Sequence, residues 1–60
     1  MPPTTQDIAD WIESVNTEGQ GLTAWELGFM ESITEQFEQS HNLSDRQTEI
    51  LERIYAHKTP

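Results

Sequence analysis

Apolar residues along the chain fall into three periodic runs separated by two short polar breaks. In the first run Ile8, Trp11, Ile12 and Val15 recur at i, i+3, i+4 and i+7, the spacing of one helix face. On a helical wheel they fill an arc of about 100°. Thr4 with Asp7 three residues on reads as a capping box, Asp replacing the usual Glu. Pro2 and Pro3 ahead of it are poor helix-interior residues. The pattern predicts a helix over 5–16. The stretch Thr17-Glu18-Gly19-Gln20-Gly21 breaks it, and Gly19 or Gly21 suits the left-handed conformation common past a helix end.

The second run has the clearest start. Thr23 and Glu26 form a full capping box, and Leu22 with Leu27 can close a hydrophobic staple. Trp25, Phe29, Met30, Ile33 and Phe37 mark one face, predicting a helix over 24–39. Ser40-His41-Asn42 interrupts it, with Asn42 the residue tolerant of a left-handed backbone. Ser44 and Gln47 then make another box, opening a helix over 45–57 whose apolar stripe is Ile50, Leu51, Ile54 and Tyr55. Glu49 and Arg53 stand at i, i+4 in the favourable order, and Arg53, His57 and Lys58 complement the negative helix end. Pro60 closes the pattern.

The short link between the second and third helices makes them antiparallel neighbours. The first helix must bury Trp11 across that hairpin. The expected fold is all-α, a small three-helix bundle forming one domain over 1–60. Residues 1–21 supply the first helix and its glycine turn, and residues 22–60 supply the hairpin. The expected core is Ile8, Trp11, Ile12, Val15, Leu22, Trp25, Phe29, Ile33, Phe37, Ile50, Leu51, Ile54 and Tyr55. Met30 sits at the edge of its arc, either filling a core gap or offering itself to a second chain. In a chain of 60 residues, burial and ordering costs nearly cancel, so a homodimer or partner contact would add stability.

Charge changes this picture. Eleven acids against three Lys and Arg give a net charge of −8, and no cysteine is present. Residues 1–42 carry Asp7, Asp10, Glu13, Glu18, Glu26, Glu31, Glu35 and Glu38 with no Lys or Arg, whereas residues 43–60 balance. Glu31, Glu35 and Glu38 form a stripe opposite the apolar face of the second helix. At that spacing their Cβ atoms stand about 5–6 Å apart, and each like-charged pair costs a few tenths of a kcal/mol. Asp7, Asp10 and Glu13 form a second row on the first helix. Single acids serve solubility and helix propensity. A one-signed surface of this extent points instead to a partner with a basic face.

Candidate chemistry is sparse. The histidines, His41 and His57, lack zinc-helix spacing, and without cysteine there is no thiolate ligand or thiol nucleophile. No calcium-loop pattern and no Ser-His-Asp constellation are present. A chain this small can hardly wall a catalytic pocket. Neither an enzyme nor a cofactor or metal site is expected. No apolar run reaches the roughly 20 residues needed to span a bilayer, and the N-terminus lacks a signal-peptide pattern. The expectation is a cytoplasmic protein with no membrane contact. Direct nucleic-acid binding through Arg46, Arg53 and Lys58 is opposed by the net charge of −8.

The series Leu22-Thr23-x-Trp25-Glu26-x-x-Phe29-x-x-Ser32-Ile33-x-x-Gln36-Phe37, then Leu43-Ser44-x-x-Gln47-x-x-Ile50-Leu51-Glu52-Arg53-Ile54-Tyr55, is similar to a helical hairpin of bacteriophage and mobile-element proteins. It covers 34 of the 60 residues. In size, acidity and helicity the whole chain resembles the small anti-CRISPR and DNA-mimic proteins of phages. That resemblance implies an inhibitor acting in a bacterial host. It would bind a basic, nucleic-acid-binding surface of a host protein, such as a CRISPR effector complex, through Glu31, Glu35, Glu38, Asp7, Asp10 and Glu13. The alternative is an accessory module that docks on replication or recombination machinery through apolar contacts at Met30 or Leu27.

Overall fold

Three reciprocal caps fix where the helices begin. In the computed structural model, which describes residues 3–59, the helices are α1 (Thr5–Glu18), α2 (Ala24–Ser40) and α3 (Asp45–Lys58). The Asp7 N–H donates to Thr4 Oγ1 while the Thr4 N–H donates to Asp7 Oδ2, each at 3.1 Å. Thr23 with Glu26 and Ser44 with Gln47 repeat this exchange at the heads of α2 and α3. Each box satisfies two backbone donors that a bare helix start leaves unpaired. Pro2 and Pro60, read above as flanking residues, lie outside the described residues.

Helix α1 runs two residues past its expected end, to Glu18. Gly19 stops it with an extended backbone, φ −65° and ψ 136°, its N–H donating to the Val15 carbonyl at 3.0 Å. A Cβ on Gly19 would stand only 2.4 Å from that carbonyl oxygen, so glycine is required there for space. Gly21 is the one that takes the left-handed region, at φ 71°. The second break also differs from expectation. His41, not Asn42, occupies the left-handed position at φ 56°, and its N–H caps the Phe37 carbonyl at 2.7 Å.

The helices all pack on one another, and no strand occurs among the described residues. Helices α2 and α3 are antiparallel. Gln36, late in α2, exchanges amide hydrogen bonds of 3.1 and 3.0 Å with Gln47, early in α3. At the other end Lys58 of α3 stands 3.8 Å from Glu26 of α2. The broadest interface is α1 on α3, where the Trp11 and Tyr55 rings lie 5.8 Å apart. Against α2, Asn16 Nδ2 donates to Thr34 Oγ1 at 3.0 Å. Lys58 latches the far end: its carbonyl accepts from the Gln20 N–H and its Nζ donates to the Gly21 carbonyl.

Ile8, Ile12, Val15, Ile33, Phe37, Leu51 and Ile54 are buried as expected, and Trp11, Leu22, Phe29, Ile50 and Tyr55 are partly buried against them. Trp25 corrects the expected core, since it is 62% exposed. Met30, expected at the arc's edge, is 3% exposed and fills the interior, so it is not offered to a second chain. Both differences have one cause. The side of α2 carrying Met30 and Thr34 faces α1, which turns Trp25 toward the rim. Leu43, outside every periodic run, is also buried. It precedes the Ser44 cap, the position from which a residue folds back on its helix.

Two substitutions test the breaks. A non-glycine residue in the left-handed region costs roughly 1–2 kcal/mol. His41→Gly should therefore stabilise the chain by about 1 kcal/mol, less whatever the His41–Phe37 ring contact at 5.8 Å contributes. Gln47→Ala removes a cap and the reciprocal amide pair together, and should cost about 1–2 kcal/mol. Thermal melts should show shifts of about 4–8 °C per kcal/mol in these opposite directions.

Candidate functional site

Glu31, Glu35 and Glu38 project from the middle of α2, all exposed and none paired with a cation among the described residues. The helical repeat confines them to an arc of about 60°. They lie beside the apolar face rather than opposite it. All three form one wall of a groove of about 580 Å³ between α1 and α2, whose floor includes Val15, Leu22, Leu27 and Met30. Leu27 is 55% exposed there, so the expected Leu22–Leu27 staple leaves much of it facing outward.

The second acidic row does not join this stripe. Asp7, Asp10 and Glu13 are exposed, but steps of three residues wind them over about 120° of α1. Asp7 is held in the Thr4 cap, and Asp10 accepts from Gln6 Nε2 at 3.0 Å. None of the three lines the α1–α2 groove.

Opposite in character is a groove of about 650 Å³ between the start of α2 and the length of α3. Arg46, Arg53 and Lys58, the chain's whole complement of Lys and Arg, line it. His57, Ile50 and Trp25 stand among them. In the sequence these cations read as helix-end partners, as the Glu49–Arg53 pair and as a nucleic-acid contact that the net charge opposes, not as one groove. The missed signal is that Arg46, Ile50, Arg53 and His57 recur at i, i+4, i+7 and i+11, one face of α3. Trp25 joins them from α2 because that helix runs antiparallel to α3. Its ring stacks on Phe29 at 5.3 Å and 10°.

Glu26 is the carboxylate whose surroundings shift its titration. The Thr23 backbone N–H, donating to Glu26 Oε1 at 2.8 Å, holds its pKa below the ordinary 4.5; burial opposes this, and the Lys58 charge adds a lesser lowering. Among the described residues, no group of three or more His, Asp or Glu is placed to hold a metal ion. No helix there is long and apolar enough to cross a membrane. No family model matches the chain, and no curated protein or solved structure matches it either. The chain's own surfaces therefore carry the functional reading.

Because the Glu26 pKa is depressed by folding, its contribution to stability is complete above pH 4.5 and is lost as pH falls through the lower folded value. Melting curves of the wild type and Glu26→Gln should differ by a constant interval at neutral pH. That interval should close as pH falls below 4.5 and through the lower folded value.

Proposed function

We propose that the chain is an inhibitory binding protein whose α2 carboxylates occupy a basic, nucleic-acid-binding surface of a host protein. The observation that carries this reading is the Glu31–Glu35–Glu38 wall, three uncompensated charges fixed on one rigid helix beside an apolar groove. Successive charges are separated by about 4.5–6 Å along the helix axis. One DNA strand presents a phosphate about every 3.4 Å of its axis. The stripe thus spans about 10.5 Å of axis, the length of about three phosphate steps and not of a duplex segment. Preorganised carboxylates of this kind speed encounter with a cationic cleft and make the complex sensitive to salt.

A footprint so short needs an apolar anchor as well, and Leu27 supplies one beside the wall. The likeness to small phage-encoded anti-CRISPR and DNA-mimic proteins supports a partner such as a CRISPR effector complex, met in the cytoplasm of a bacterial host. Asp7, Asp10 and Glu13 then act through long-range attraction, since they lie outside the groove. The exposure of Leu27 and Trp25 favours a second reading, a non-inhibitory module that docks on phage replication or recombination machinery through apolar contacts.

The two readings separate cleanly. Reversing the wall with Glu31→Lys, Glu35→Lys and Glu38→Lys should abolish capture of the partner from host lysate while the circular-dichroism spectrum stays helical. Leu27→Ala should weaken capture by about tenfold or less, the effect of losing one partly buried apolar side chain. If binding survives the triple reversal at moderate salt and fails with Leu27→Ala, the apolar module is the correct reading.

A further inference from the structure

The α2–α3 groove shares no lining residue with the groove of the acidic wall. In a chain of net charge −8, every Lys and Arg converges on this one depression. Among the described residues Glu26 is the sole carboxylate lining it, and Glu26 is already engaged by the Thr23 N–H and Lys58. Arg46 has no ion pair among the described residues. Arg53 meets Glu49 at 3.7 Å with both side chains about 70% exposed, a contact that water and salt leave easily displaced. Two guanidinium groups are therefore free to receive carboxylates, which they bind in a planar, two-pronged geometry.

The apolar part of the groove is equally particular. Trp25 is 62% exposed although stacked on Phe29, so one ring face is supported from within the protein and the other is open. Ile50 lies between the two arginines on the same face of α3. The volume of about 650 Å³ matches a few side chains rather than a folded domain. An exposed tryptophan sharing a groove with cations is a combination suited to an apolar group with carboxylates beside it.

We propose that this groove binds a short acidic protein segment, one that seats an aromatic or aliphatic side chain on Trp25 and Ile50 and gives its flanking carboxylates to Arg46 and Arg53. Charge complementarity selects that occupant. A nucleic-acid strand would bring a run of phosphates into the field of a chain at −8, with only these few cations to meet them. A second copy of the chain would bring another −8. A peptide with one or two carboxylates matches the free guanidinium groups without that repulsion. The protein then bridges two partners, or two regions of one partner, of opposite charge.

The test uses fluorescence of the full chain carrying Trp11→Phe, which leaves Trp25 as the sole reporter. The capped peptide acetyl-Asp-Leu-Phe-Glu-amide should change Trp25 emission saturably. The same titration on the unaltered chain should move the Trp25 indole N–H signal in NMR spectra, which covers the case of a poorly folded Trp11→Phe variant. Arg46→Glu with Arg53→Glu should weaken binding by about tenfold or more, as should a peptide with Asn and Gln in place of the acids. Glu31→Lys, Glu35→Lys and Glu38→Lys should leave peptide binding in place, which separates this surface from the acidic wall. The proposal is overturned by any of three results: no Trp25 response at millimolar peptide, equal binding of the neutral peptide, or tighter binding of a short oligothymidylate than of the acidic peptide.

Discussion

Helix α2 has to satisfy two neighbours at once, and the rest of the molecule follows from how it does so. Its buried residues, Met30, Ile33 and Phe37, sit at i, i+3 and i+7, between the side that meets α1 and the side that meets α3. A helix with one neighbour would have centred its contact nearer Phe29 and Trp25. Serving two, it turns so that a flexible thioether fills the interior and an indole is left outside. The same rotation brings Glu31, Glu35 and Glu38 alongside the α1 contact instead of far from it.

Charge is sorted by that geometry. Carboxylates spread over all three helices, Asp45, Glu49 and Glu52 of α3 included, whereas the cations gather on the α3 flank. Nothing in the core enforces this, because no charged residue is buried among the described residues. The sorting belongs to the surface, where substitutions rarely alter stability by more than about 0.5 kcal/mol. Lys58 serves the fold through Gln20, Gly21 and Glu26, whereas Arg46, Glu31, Glu35 and Glu38 enter no ion pair among the described residues.

The helices were legible in the sequence because their starts are chemical. Thr4, Thr23 and Ser44 each sit three residues before a side chain able to return the hydrogen bond, a pattern that needs no tertiary information. The all-α bundle and the buried Ile8, Ile12, Val15, Ile33, Leu51 and Ile54 follow from spacing alone. Trp25 and Met30 exchanged roles because a wheel shows which residues share an arc but not where its centre lies when two helices compete for it. His41 was missed because residue preference favours asparagine in the left-handed region, and the register of the α2 end decided otherwise. The acidic wall was visible as a stripe. Its apolar border, and the meeting of Trp25 with Arg46 and Arg53, depended on how separate helices are placed.

Lys58 ties together parts of the chain made at different times. The link between α1 and α2 is held by the Gln20 N–H on the Lys58 carbonyl and by Lys58 Nζ on a carbonyl 37 positions earlier. On a ribosome that link is made long before the residue that locks it. The contact therefore joins the first-made part of the bundle to its last-made helix, closing a loop of long sequence separation. Damage to the last turn of α3 reaches back to the turn after α1, so proteolysis near Lys58 would loosen a loop far from it in sequence while leaving every helix start intact.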